Sequence, residues 1–205
     1  MPGKLAHLML SLQSAGCHNI NFVSPSHVVA QILTAVEIAA GSGLRLPLVY
    51  NTGGYDSPEA LALMDGVVDI YMPDIKYGNS ETAHRYSRIR DYVAINQAAV
   101  KEMHQQVGDL ELDSSGIAKR GLLIRHLVLP GLLDETEKVL AFIANELSPN
   151  SYLNLMDQYH PCYHAENYPP LDHPLSRDEY RKALQMAEEL GLKRLDQRHA
   201  LFQWL

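Results

Sequence analysis

The order in which apolar and amphipathic segments alternate constrains this fold more than any single motif does. Short apolar runs of strand type are separated by segments whose apolar residues recur with helical spacing, beginning with Leu5, Leu8, Met9 and Leu12. The strand-type runs are "INFV", "LPLVY", "VVDIYMP", "LLIRHLVLP" and "YLNLMDQY". Apolar strands that alternate with helices are typical of a parallel sheet whose faces are covered by helices. The sequence therefore predicts an α/β protein built from successive β/α units.

The alternation starts with a helix, whereas a β/α unit starts with a strand. Five clear strands are also fewer than the eight of a complete β/α barrel, which takes about 250 residues. We therefore predict a partial (β/α) barrel that lacks its first strand. No break in composition divides the chain, so residues 1–205 are expected to form a single domain. The "INFV" strand would then have an open edge, which predicts an oligomer or a chain of low stability.

Composition excludes several functional classes. A formal net charge of −7 argues against nucleic-acid binding, which requires a clustered basic face. No run of about 18 apolar residues indicates a membrane span, and no signal peptide is recognisable at the N-terminus. The two cysteines, Cys17 and Cys162, are too few and too far apart for a disulfide framework. The expected location is the cytoplasm.

Polar residues stand where the apolar strands end. In parallel β/α architectures, binding sites collect at the carboxyl ends of the strands. Asp74 and Lys76 share one side of their strand because side chains alternate with a period of two, so the pair is expected to bind a zwitterionic ligand. The candidate ligand-binding residues at the strand ends are Ser24, Ser26, Asn51, Thr52, Asp74, Lys76 and Arg125.

Each of these signals also has a purely structural interpretation. Asp74 and Lys76 could form a plain ion pair, and "YNTGGYD" could be only a tight turn before a short helix capped by Asp56 or Ser57. His126 lies in an apolar strand, where a hydrogen-bonded structural histidine is the usual case. The loop "YHPCYH" has incomplete zinc spacing, so no metal ligand is predicted.

Five segments, taken in order, resemble radical SAM proteins related to the pyruvate formate-lyase activating enzyme. They are "LQSAGCHNINFVSPSHV", "PLVYNTGGYDSPEAL", "VDIYMPDIKYG", "RHLVLPG" and "MDQYHP", and the resemblance runs from about residue 4 to 200. It implies a partial (β/α)6 barrel that binds S-adenosylmethionine (SAM) and a [4Fe–4S] cluster. Such proteins cleave SAM reductively to a 5′-deoxyadenosyl radical, and the activating enzymes abstract hydrogen from a glycine of a partner glycyl-radical enzyme.

The resemblance also assigns roles to individual positions. Asp74 and Lys76 match an Asp-x-Lys strand end that faces the SAM pocket, and Asn51 and Thr52 match the preceding strand end. Arg125 and "LVLPG" match a strand that flanks adenosine. The loop from Ser24 to Ser26 stands where many activating enzymes have a Gly-Gly-Glu sequence that receives the methionine amino group.

The family's Cys-x-x-x-Cys-x-x-Cys fingerprint is missing from these 205 residues. Cys17 and Cys162 cannot replace three clustered thiolates, which are the usual ligands of such a cluster. We therefore expect this chain alone to be inactive as a radical SAM enzyme, and we assign no catalytic residue. The chain is either a fragment whose cluster loop lies upstream or a cluster-free SAM-binding or interaction protein. An unrelated β/α-barrel lyase that uses Lys76 is a further alternative.

Overall fold

The computed structural model describes residues 1–196, so residues 197–205 of the expected domain lie outside the described part. The helices are α1 (Pro2–Ser14), α2 (Val29–Gly41), α3 (Pro58–Ala62), α4 (Ser80–Ser87), α5 (Tyr92–Val107), α6 (Leu133–Phe142) and α7 (Arg177–Glu189). The strands are β1 (Ile20–Val23), β2 (Leu48–Thr52), β3 (Ile70–Pro73), β4 (Glu111–Leu112), β5 (Ala118–Leu127) and β6 (Tyr152–Met156).

The strand pairings are mainly parallel. β1, β2 and β3 pair in parallel in that order, and β3 pairs in parallel with β5. β6 pairs in parallel with the later part of β5. The short β4 forms an antiparallel hairpin with the first residues of β5. Within residues 1–196, β1 has β2 as its single neighbour, so the sheet is open there. The predicted α/β class is confirmed, with the open sheet of a partial β/α barrel.

The described residues divide into two compact units. The first comprises residues 1–73 and 98–122, and the second comprises residues 74–97 and the chain from residue 123 onward. α5 and β5 therefore contribute residues to both units. That residues 1–205 form a single domain stays a prediction.

In the first unit, α1 packs against α2 through small side chains. Ala6 of α1 and Ala35 and Ala39 of α2 are almost fully buried, together with Met9 and with Ile20 of β1. Leu8 and Leu12, which follow the helical spacing seen in the sequence, have side chains that are 58% and 44% exposed. The buried face of α1 is formed by Ala6 and Met9.

In the second unit, β5 and β6 each have one fully buried face. Ile124 of β5 and Leu153 and Leu155 of β6 are at most 2% exposed and form much of the core there. α7 begins at a capping box in which the Ser176 hydroxyl accepts the Glu179 N–H and the Glu179 carboxylate accepts the Ser176 N–H. Ile124 pairs with Leu153 and His126 pairs with Leu155, so Arg125 and Asn154 lie side by side on the other face of the two strands.

Candidate functional site

The strand ends of the first unit bring four predicted site residues together. Ser24, directly after β1, adopts the left-handed conformation at φ 53° and donates its N–H to the carbonyl of Asn51 at 2.8 Å. The hydroxyls of Ser26 and Thr52 lie 3.3 Å apart. Left-handed backbone is strained for a residue other than glycine, and such strain often accompanies functional loops. The loop after β1 is therefore fixed against the end of β2.

Asp56, for which the sequence indicated only a helix cap, is the centre of this cluster. Its carboxylate is 3% exposed and accepts hydrogen bonds from Thr52 Oγ1 at 2.6 Å, from Tyr50 Oη at 3.0 Å and from Ser26 Oγ. The helix cap is supplied by Ser57 instead, whose hydroxyl accepts the N–H of Ala60. Because the hydroxyls of Ser26 and Thr52 already donate to Asp56, their first role is to hold the loop after β1. Their predicted contact with SAM stays a prediction.

The second unit brings together Asp74, Lys76 and Arg125. Asp74 Oδ2 lies 2.9 Å from Lys76 Nζ, and Asp74 Oδ1 lies 2.8 Å from Arg125 Nε and 2.7 Å from Arg125 Nη2. The Lys76 side chain is 45% exposed, whereas those of Asp74 and Arg125 are 20% and 25% exposed. The three groups carry a formal charge of +1, which suits the binding of one further carboxylate.

The main chain that carries Asp74 and Lys76 is held by buried side chains of helix α5. The Asn96 amide donates to the carbonyl of Asp74 at 3.0 Å, and the hydroxyl of Tyr92 accepts the N–H of Lys76 at 2.9 Å. Asn96 and Tyr92 are at most 3% exposed, and burial raises the pKa of Tyr92, so its phenol is protonated. These two contacts fix the backbone on both sides of Ile75.

His126 holds the same segment from β5. Its Nδ1 lies 2.6 Å from the carbonyl oxygen of Ile75, and its Nε2 lies 3.0 Å from the hydroxyl of Thr136. The arrangement assigns the proton to Nδ1, which donates to the carbonyl, and leaves Nε2 to accept from Thr136. His126 is 1% exposed, and burial lowers its pKa to about 4. It is the hydrogen-bonded structural histidine that its place in an apolar strand indicated.

Glu135 of α6 fixes the end of this segment. Its carboxylate is 3% exposed and accepts the N–H of Gly78 at 2.9 Å and the hydroxyl of Thr82 at 3.0 Å. The ammonium of Lys138 lies 3.5 Å away. A buried carboxylate is costly unless charged or hydrogen-bonding groups satisfy it, and here the Gly78 N–H, the Thr82 hydroxyl and the Lys138 ammonium do so. We call Tyr92, Asn96, His126 and Glu135 the backbone clamp of residues 74–78.

We expect His126 to make stability pH-dependent. Its pKa is depressed in the folded state, so the unfolded chain binds more protons between pH 6.5 and 4 and stability falls as the pH falls through this range. Above about pH 6.5 the contribution of His126 to the free energy of unfolding is fully present and is on the order of 3 kcal/mol. Urea unfolding at intervals between pH 4 and 7.5 measures it. The variant His126→Gln should show a shallower slope, and equal slopes would contradict the assignment.

The described residues do not fit an iron–sulfur cluster. Cys17 is half-buried in the first unit and Cys162 is exposed in the second. Within residues 1–196, no group of three or more His, Cys, Asp or Glu side chains is arranged to hold a metal ion. Nor, over the same residues, does any helix combine the length and apolar character that crossing a membrane requires. No reaction step through a cluster follows from these residues.

Comparisons with known proteins support the fold and leave the family open. No protein-family model matches the chain. The uncharacterized protein MJ0674 of Methanocaldococcus jannaschii is 35% identical over 175 residues, which cover 85% of this chain. The matched stretch spans 47% of that relative, so the chain corresponds to about half of its length.

Two crystal structures share the fold. A domain of the pyruvate-formate lyase-activating enzyme from Bacteroides vulgatus superposes with a TM-score of 0.61 at 11% identity, covering 87% of this chain and 97% of that domain. A radical SAM methyltransferase from Sphaerobacter thermophilus gives a TM-score of 0.55 at 14% identity, covering 96% of this chain and 55% of that one. The chain therefore has a fold similar to that of radical SAM domains.

Proposed function

We propose that this chain is the SAM-binding part of a radical SAM protein of the glycyl-radical activating type. The observation that carries the proposal is the backbone clamp. Four buried polar side chains hold the main chain of residues 74–78, and the segment presents Asp74 and Lys76 in a fixed geometry. Such preorganisation is what a binding site requires, whereas a surface ion pair needs no such support.

The charges suit the methionine part of SAM. The two positive charges of Arg125 and Lys76 exceed the single negative charge of Asp74. Lys76 has the most exposed side chain of the three. In this proposal the Lys76 ammonium pairs with the ligand carboxylate while Arg125 keeps Asp74 oriented. Ser24, Ser26, Asn51 and Thr52 keep their predicted roles toward SAM as part of the proposal.

A [4Fe–4S] cluster would supply the electron for SAM cleavage in this family, and in our proposal its thiolates come from outside these 205 residues. The chain by itself then binds SAM without cleaving it. The partner would be a glycyl-radical enzyme, and the cytoplasm would be the location, as the sequence analysis predicted. Without those thiolates, the same chain would be a cluster-free SAM-binding protein.

Titration calorimetry with SAM and S-adenosylhomocysteine tests the proposal on the 205-residue chain. We expect Lys76→Met to weaken binding of both compounds about 10- to 100-fold, because a charge-assisted contact to the carboxylate is lost. Lys119→Met is a matched control, since Lys119 is 48% exposed and also pairs with an aspartate, at 3.1 Å. Absence of binding in the unmodified chain, or equal effects of the two variants, would refute the proposal.

Borohydride trapping separates this proposal from the lyase alternative. A Schiff-base lysine must react as a neutral amine, whereas Lys76 lies 2.9 Å from the carboxylate of Asp74, a contact suited to the ammonium form. We therefore expect no covalent adduct at Lys76 when the chain is incubated with carbonyl compounds and borohydride. A stable adduct there, absent from Lys76→Met, would favour the lyase.

We also propose that a second copy of the chain pairs with the edge of β1. Among the described residues, β1 pairs with β2 alone, so its other edge is open. Val23, at the end of β1, is 70% exposed. An open apolar edge invites strand pairing, and lysine on an edge strand opposes it. We expect sedimentation to show concentration-dependent association that Val23→Lys reduces, while Ile38→Lys, on an exposed position of α2, does not. A monomer at all concentrations would contradict the pairing.

A further inference from the structure

β5 and β6 have a half-buried face opposite their fully buried one. Its residues are Leu123, Arg125, Leu127, Tyr152, Asn154 and Met156. Arg125 and Asn154 are directly paired in the parallel register, and Asp74 bridges to Arg125 on the other side. Adjacent strands lie about 4.8 Å apart, so these three polar residues form one row across neighbouring strands. The row continues the candidate site of the second unit onto β6.

Asn154 differs from the other members of this row. Asp74 and Arg125 bond to each other, whereas Asn154 Oδ1 is buried and accepts no hydrogen bond from any group within residues 1–196. A buried acceptor without a partner is destabilising, and native proteins contain few of them. Leucine has the same number of side-chain heavy atoms and the same branching at Cγ, without this penalty. None of the described residues therefore supplies a donor for this amide oxygen.

The surroundings restrict which donor fits. Leu127 and Met156 flank the row on the same half-buried face, which suits a flat, largely apolar group. A carboxamide accepts through Oδ1 and donates through Nδ2, which complements an exocyclic amine next to a ring nitrogen. Asparagine recognises adenine through this pairing. Asn154 was not among the site residues predicted from the sequence, because an asparagine within "YLNLM" carries no distinguishing local signal.

We infer that Asn154 recognises the 6-amino group of adenine when an adenosyl compound lies on the half-buried face of β5 and β6. The inference rests on the proposed function and extends it to a residue that determines specificity for the base. Oδ1 accepts from the 6-amino group and gains the donor that residues 1–196 do not provide.

The test combines one substitution with one change in the ligand. The ligands are S-adenosylhomocysteine and its analogue in which hydrogen replaces the 6-amino group of the purine. In the unmodified chain the analogue should bind about tenfold more weakly. Asn154→Leu should weaken binding of S-adenosylhomocysteine about tenfold and binding of the analogue less than threefold, so that the preference for the amine disappears. Asn150→Leu, at an exposed position just before β6, should change neither affinity.

Thermal unfolding separates recognition from structural support. Because Asn154→Leu removes a buried acceptor that has no donor within residues 1–196, its melting temperature should equal or exceed that of the unmodified chain. A lower melting temperature with equal losses for both ligands would overturn the inference. If S-adenosylhomocysteine binds and Asn154→Leu leaves the preference for the amine unchanged, the inference fails while the proposed function stands. If the unmodified chain binds neither ligand, both fail.

Discussion

The variant Gly121→Ala is expected to lose about 3–5 kcal/mol of folding stability, the largest effect of any substitution considered for this chain. Gly121 lies in β5 at φ +115°, a conformation that side-chain-bearing residues rarely adopt. A Cβ there would meet the carbonyl oxygen of Asp109 and would lie 2.5 Å from the Cα of Leu110. Both contacts are with main chain, which cannot rotate away. The Gly121 N–H also donates to the carbonyl of Asp69 at 2.8 Å, so the strand itself would have to move.

Equilibrium unfolding in urea measures this loss. Gly116→Ala separates backbone strain from steric overlap, because Gly116 also has a positive φ, +77°, but a Cβ there would meet no atom within 4 Å. The control should cost about 1–2 kcal/mol, the usual penalty for left-handed backbone. Equal losses of stability in the two variants would show that overlap between a Cβ at Gly121 and the neighbouring main chain does not destabilise the fold.

The variant Gly78→Ala is expected to lose about 2–4 kcal/mol of stability and to abolish SAM binding at micromolar ligand. A Cβ at Gly78 would lie 2.5 Å from Lys138 Cβ and 2.8 Å from the carbonyl oxygen of Glu135. α6 would have to move away, and the hydrogen bond from Gly78 N–H to the Glu135 carboxylate would break. The segment that carries Asp74 and Lys76 would then lose one of its four clamp residues.

Gly41→Ala is the control for Gly78→Ala. Gly41 ends α2, and a Cβ there meets no atom within 4 Å, so alanine should be neutral or slightly stabilising. Urea unfolding and SAM titration are measured on both variants. Normal SAM affinity in Gly78→Ala at normal stability would show that the clamp does not position the ligand-binding residues.

Much of the fold was predictable because its signals are local. The order of the elements follows from runs of apolar residues a few positions long, and the β4–β5 hairpin from "DSSG", where the Asp113 carboxylate accepts the N–H groups of Ser115 and Ile117. The pairing of Asp74 with Lys76 was also predictable, since side chains two positions apart share a face of a strand. Leu8 and Leu12 show the limit of such reasoning, because periodicity identifies an apolar stripe without saying which part of it a neighbour covers.

The residues that support the site could not be predicted, because their partners are distant in the chain. Asn96 bonds to Asp74 across 22 positions, His126 to Ile75 across 51 and Glu135 to Gly78 across 57. Nothing in the local sequence around a buried glutamate indicates which backbone N–H donates a hydrogen bond to its carboxylate. Asp56 is similar, since its place before Ser57 and Pro58 indicated a helix cap and not the acceptor of three hydroxyls.

The sequence by itself determined an α/β chain with parallel strands, polar residues at the strand ends and two cysteines far apart, because each of these depends on residue type and short-range spacing. Only the tertiary structure decided that the Asp74–Lys76 segment is held by buried groups from α5, β5 and α6. It also showed that Asn154 Oδ1 is buried with no donor within residues 1–196. Hydrogen bonding between distant residues depends on how helices and strands pack, and packing is a property of the whole chain.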